Sequence, residues 1–155
     1  MLNDYKSDFV ASIFIRNKRG LFLVFEGRDG ILALPGGSGE RDEKPEETAI
    51  REAFEETNLR VQIEKLVALY RLTVFNSDGT KRCEFLHYLF LASTEDDNPR
   101  PGAEWRDSVV KCRWIKLRDL KTYRKVWPLP EEVRSKISDG ILNLGNLGEL
   151  EYHMI

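Results

Sequence analysis

The side chains best suited to chemistry fall in one stretch, Leu34 to Leu59, LPGGSGERDEKPEETAIREAFEETNL. A Pro-Gly-Gly turn at Pro35, Gly36 and Gly37 leads into a polar loop. Pro45 then opens a helical segment carrying Glu46, Glu47, Glu52, Glu55 and Glu56. On a helix of about 100° per residue, Glu52, Glu55 and Glu56 are spaced i, i+3 and i+4 and converge. Like charges at that spacing repel, which costs helix stability. A hard divalent cation offsets this repulsion, because Mg²⁺ is held by a few carboxylates, waters and substrate phosphates. The alternative is a solvated acidic face with Arg51 as its partial counter-ion. Gly36 and Gly37 favour the cation, since they remove side-chain bulk and allow close backbone approach beside the carboxylates.

The elements that must position these groups follow from hydrophobic periodicity. In the helix Pro45 to Thr57, Ala49, Ile50, Ala53 and Phe54 form one apolar stripe, expected to pack on a sheet with the carboxylates opposite. Upstream, FVASIFIR (Phe9 to Arg16) alternates, with Phe9, Ala11, Ile13 and Ile15 on one face. LFLVFE (Leu21 to Glu26) is nearly continuously apolar. The pair reads as a hairpin buried on both faces, as in a sheet covered by helices. Ile31 to Leu34 is a short strand into the glycines. Downstream, Val61 to Tyr70, Leu72 to Phe75, Phe85 to Ala92 and Val109 to Leu117 are strand-like. Ser93 to Asp107 reads as a long loop, broken by Pro99, Pro101 and Gly102. Short helices are expected from Leu117 and from Pro130 to Ile137, and the tail from about residue 140 is read as irregular. The order gives a layered α/β (α+β) domain with a mixed sheet flanked by helices.

Composition bounds the function. A chain of 155 residues with 41% hydrophobic content suits one globular domain, 1–155. Net charge −2 supplies no global field for nucleic acid or anionic membranes, so a nucleic-acid partner is not expected. No apolar run is long enough to span a bilayer, and MLNDYKSDF lacks a signal-peptide layout. Cys83 and Cys112 make no metal or redox motif, and His87 and His153 make no zinc site. A soluble cytoplasmic protein is expected.

The central stretch resembles the signature box of the Nudix hydrolases. Gly37, Glu43, Arg51, Glu52, Ala53, Glu55, Glu56 and Leu59 all match it, and only the late glycine departs, as Asn58. That position ends the helix in a left-handed residue, for which asparagine is the second choice after glycine. Asp42 stands where many members have glycine, and Lys44 is a poor N-cap. Leu34-Pro35-Gly36-Gly37 resembles the family's entry to the box, and Trp114-Ile115 with Leu117 to Leu120 its late strand-to-helix turn. The resemblance implies a Nudix α/β/α sandwich and Mg²⁺- or Mn²⁺-dependent cleavage of a nucleoside diphosphate linked to another group. It makes Glu52, Glu55 and Glu56 the metal ligands, with Gly37 offering its backbone. Arg51 orients a box glutamate, and Glu43 is an outer-shell carboxylate. The general base is a box glutamate or a later loop carboxylate, with Glu104 first and Asp107 next.

Other candidates carry less. Arg28, Arg41 and Arg71 are possible phosphate clamps but equally ordinary surface arginines. Tyr70, Phe75, Tyr88, Trp105 and Trp127 could stack a base, although core packing is the plainer reading. Glu84 and His87 read as structural, His87 as a satisfied core histidine. Lys111 to Lys125 is rich in lysine and arginine, with Asp119 as its one acid. If that cluster lines the site, removal of pyrophosphate from RNA 5′ ends becomes the alternative. A non-catalytic nucleotide-sensing module is the third reading, set against the full complement of box glutamates. The tail is expected to cap the domain or exchange with a partner in a homodimer.

Overall fold

The computed structural model describes residues 8–96, 98–100, 109–140 and 142–155. The strands are β1 (Phe9–Arg16), β2 (Phe22–Gly27), β3 (Leu32–Ala33), β4 (Gly36–Ser38), β5 (Gln62–Phe75), β6 (Lys81–Ser93), β7 (Val109–Ile115), β8 (Val126–Trp127) and β9 (Gly145–His153). The α-helices are α1 (Pro45–Thr57) and α2 (Glu131–Ser138), and a 3-10 helix spans Leu117–Thr122. Among the described residues, these nine strands join one mixed, curled sheet in the order β8-β3-β2-β1-β6-β5-β9, with β4 on β1 and β7 on β2. β1–β6, β3–β8 and β5–β9 are parallel pairs.

The β1–β2 hairpin exists, but its ladder holds at Arg16↔Phe22 only. Beyond that point the strands part: β1 takes β4 and β6, and β2 takes β3 and β7. This splay makes room for the glycine strand β4 beside Val10, Ala11 and Ser12 of β1.

The alternation in β1 sorts its two faces as expected. Ala11, Ile13 and Ile15 join Leu23, Phe90 and Ala92 in a cluster with Ala49, Ala53 and Leu59 around α1. Val10 and Phe14 face the other way, into the larger core that includes Val133 and Ile137 of α2. The sheet therefore lies between its two helices.

Three expectations need correction. The division between Tyr70 and Leu72 does not exist, because β5 runs unbroken with exposed Arg71 paired to Leu86 and Glu149. The tail is not irregular, since Gly145–His153 forms β9, parallel to β5 within this chain. Its alternation was obscured by a bulge: Leu69 pairs with Asn146 but Arg71 with Glu149, and Gly148 takes φ 72. The last correction is to the α1 stripe. Ile50 and Phe54 are each 43% exposed, and the buried row is Ala49, Ala53 and Glu56, at i, i+4 and i+7. Ala49 and Ala53 pack in one cluster with Ala11, Ile13 and Ile15 of β1. Phe54 instead carries the Arg60 guanidinium over its ring, 4.9 Å from the centroid. Among the described residues, no helix is long and apolar enough to cross a membrane.

Candidate active site at the glycine strand and acidic helix

The site begins with the ends of α1. Pro45 occupies the first turn, where a missing N–H costs nothing, and Glu46 and Glu47 complement the positive helix end. Lys44 gives no side-chain cap, as its sequence suggested, but its N–H donates to Glu47 Oε1 at 2.9 Å. At the other end Asn58 is left-handed, φ 61, and its N–H returns to the Phe54 carbonyl at 2.8 Å. The asparagine thus serves where the signature has glycine. Asp42, also at a glycine position, has φ 63.

β4 seats the glycine turn against this helix. A Cβ on Gly37 would stand 2.5 Å from Glu52 Cδ and 2.6 Å from its Oε1, so only glycine leaves that carboxylate in place. The Gly36 N–H donates to Glu56 Oε1 at 2.7 Å, and Glu56 is only 2% exposed. Glu56 is therefore not on a face opposite the sheet. Glu52 and Glu56 both turn toward β4, whereas the Glu55 side chain is 47% exposed.

Arg51 gathers the carboxylates. Its Nε donates to Glu43 Oε2 at 2.7 Å and its Nη2 to Glu43 Oε1 at 3.0 Å and to the Ser38 carbonyl at 3.1 Å. Nη1 donates to Glu52 Oε1 at 2.9 Å and Glu55 Oε2 at 3.1 Å. Thr48 Oγ1 and the Glu40 N–H also donate to Glu43. The Arg51 guanidinium, helped by these two donors, holds the Glu43 carboxyl down at about 2, below its ordinary 4.5. In turn the Glu43 carboxylate, with Glu52, raises the Arg51 pKa further. Glu43 thus reaches the α1 glutamates through Arg51, and the sequence reading did not single out Thr48. Its one advance signal was a polar residue in the first turn of α1, five positions after Glu43.

The donor chemistry suits a hard divalent ion, with carboxylate oxygens clustered beside backbone groups. Among the described residues, no three His, Cys, Asp or Glu side chains stand together as a ready cage. Instead a cation of the protein itself, Arg51 Nη1, lies between Glu52 and Glu55.

The remaining candidates disperse. Glu104, Asp107 and Trp105 lie outside the described residues. Tyr70 and Trp127 are buried and Tyr88 stacks on Phe90, so the core reading holds for these three, whereas Phe75 is only partly buried and stacks on His153. Lys111 and Arg113 pair with Glu26 across the β2–β7 ladder, at 3.3 and 3.0 Å. Glu84 pairs with Lys81. His87 is fully buried between Tyr70 and Ser12, and burial depresses its pKa to about 3.

A curled mixed sheet with a helix on each face, and a glycine strand set against an acidic helix, define an α/β fold of the Nudix type. The chain belongs to the Nudix family: the NUDIX domain matches residues 6–136. That family is one of pyrophosphohydrolases that typically depend on divalent metal. A MutT-like protein from Streptomyces ambofaciens is 38% identical over 64 residues, covering 41% of this chain and 42% of that protein. Its aligned part is thus less than half of either protein. A crystal structure of a NUDIX hydrolase from Nitrosomonas europaea superposes with TM-score 0.67 at 19% identity, covering 96% of this chain and 81% of that one. The MutT protein from Methanosarcina mazei gives TM-score 0.63 at 20% identity, covering 91% and 96%.

Proposed function

We propose that this Nudix hydrolase cleaves the diphosphate bond of a small nucleotide in which a nucleoside diphosphate is linked to another group. Nucleoside triphosphates, nucleotide sugars and ADP-ribose all carry that bond. The observation that supports this most directly is the seating of Glu52 under Gly37 and Glu56 on Gly36, with Arg51 joining Glu43, Glu52 and Glu55.

Glu52, Glu55 and Glu56, with the Gly37 backbone, would hold Mg²⁺ or Mn²⁺. Such an ion supplies charge neutralisation at the pyrophosphate oxygens and acidifies water. Arg51 orients Glu52 and Glu55 and, while they are free of metal, screens them from each other. Glu43 fixes Arg51 from the loop side. Glu104 takes the proton from the attacking water, with Asp107 as the next candidate. We place these roles in one domain spanning 1–155.

The alternatives gain less. Two cations of the basic cluster are paired with Glu26, which weakens the RNA 5′-end reading. A sensing module has no need of Glu52, Glu55 and Glu56 together.

The test is a phosphate-release screen over nucleoside triphosphates, nucleotide sugars, dinucleotides and 5′-triphosphate RNA, with Mg²⁺ and Mn²⁺. Glu55→Gln and Glu56→Gln should each abolish the metal-dependent turnover it finds, and unchanged turnover in both removes the metal assignment. Glu104→Gln should depress kcat far more than KM. A normal kcat moves the proton to Asp107 or a box glutamate.

A further inference from the structure

On the face of the sheet turned away from α1, three polar side chains lie in a row beneath the site. Tyr70 of β5 and His87 of β6 are directly paired across their strands, and Ser12 of β1 is the third. All three are at most 1% exposed. The Tyr70 hydroxyl lies 2.7 Å from His87 Nδ1, and Ser12 Oγ lies 2.8 Å from His87 Nε2. The rings of Tyr70 and Phe85 pack edge-on against the imidazole, with centroids at 5.1 and 5.9 Å. A neutral imidazole donates at one nitrogen and accepts at the other, so both hydroxyls are engaged and the ring is fixed in rotation.

The row ends against the candidate site. Ser12 pairs with Gly36 in the β1–β4 ladder. A Cβ on Gly36 would lie 2.8 Å from Ser12 Cα and 2.9 Å from Ser12 Oγ, so the serine side chain lies close against Gly36. Gly36 in turn gives its N–H to Glu56 Oε1. A continuous path therefore runs from a fixed imidazole, through one hydroxyl and one peptide, to a box carboxylate. Fully satisfied buried networks of this kind lock geometry as well as register.

We propose that His87 is a positioning residue: through Ser12 it fixes the seat of Gly36, and through Gly36 it aims the Glu56 carboxylate. This rests on the reading of Glu56 as a metal-holding group. A histidine that served the core alone would affect stability and nothing at the carboxylate.

The two nitrogens allow a clean test on the full chain. In His87→Gln the side-chain amide extends to the Nε2 position and keeps the contact with Ser12. In His87→Asn it stops near Nδ1 and keeps only Tyr70. Mn²⁺ alone is titrated by electron paramagnetic resonance, beside a thermal melt of each variant. Partners that orient metal ligands cost about 10–100-fold in affinity when removed, so Ser12→Ala and His87→Asn should weaken Mn²⁺ at least about tenfold and His87→Gln by about threefold at most. The two histidine variants should melt alike. If Ser12→Ala binds Mn²⁺ as the parent does while Glu56→Gln does not, positioning is overturned and the metal reading stands. If Glu56→Gln also binds as the parent does, both fall. Ser12→Ala decides alone should the histidine variants fail to fold.

Discussion

Arg51 closes a fork on Glu43, with Nε 2.7 Å from Oε2 and Nη2 3.0 Å from Oε1, and so ties the loop before α1 to the middle of that helix. The repulsion among the acidic residues of α1 is offset by this one guanidinium, whose remaining nitrogen serves Glu52 and Glu55. The counter-ion and metal readings of the acidic face are therefore compatible. The arginine holds Glu43, Glu52 and Glu55 about a single guanidinium.

Arg51→Lys should be costly although it keeps the charge. An ammonium is a point donor and cannot reproduce the two parallel bonds to Glu43 while also reaching Glu52 and Glu55. Losing charged hydrogen bonds in this partly buried setting should destabilise the protein by about 2 kcal/mol. Urea titration measures it; equal midpoints and slopes for variant and parent would refute a stabilising fork.

The same pair sets an acid limit in the metal-free protein. Glu43 has a folded pKa of about 2 against an ordinary value of 4.5, so the unfolded chain binds its proton first as pH falls. Its contribution is therefore fully present above pH 4.5 and lost as pH falls from there toward 2. Glu43→Gln should be less stable than the parent at pH 7, with the gap narrowing over that window. Melts across a pH series check this, and a gap that widens with acid contradicts it.

Gly37→Ala tests the seat of Glu52 without touching a charge. The new Cβ would fall 2.5 Å from Glu52 Cδ, so the carboxylate must move. A misplacement of about 1 Å at a reacting site costs up to about 10²-fold in rate. Turnover should fall by that order while the melting temperature changes little, because a side chain yields more readily than backbone. Parent-like turnover would show that Glu52 needs no fixed place.

The buried row of α1 is testable by contrast. Ala53 is fully buried among Ile13, Ile15 and Phe90, whereas Phe54 is half exposed. Ala53→Leu should cost about 1–3 kcal/mol through overpacking, and Phe54→Ala less than about 1 kcal/mol. The reverse order in chemical denaturation would restore the wider apolar stripe.

Much of this could be read along the chain because it depends on local spacing. The signature from Gly37 to Leu59, the left-handed stop at Asn58 and the two faces of β1 are fixed by neighbours a few residues apart. The α1 stripe was misjudged because periodicity counts Ile50 and Phe54 as apolar but does not know how close the sheet will come. β9 was missed because a bulge at Gly148 breaks the two-residue rhythm.

The sequence by itself carried the family signature from Gly37 to Leu59, and helix geometry keeps Glu52, Glu55 and Glu56 within about one turn of each other. Tertiary structure decided which of them are held and by what. Glu56 meets Gly36, and Ser12 meets His87, only because β1 lies between β4 and β6. Those contacts join residues far apart in the chain, where local spacing carries no information and the register of the sheet carries all of it.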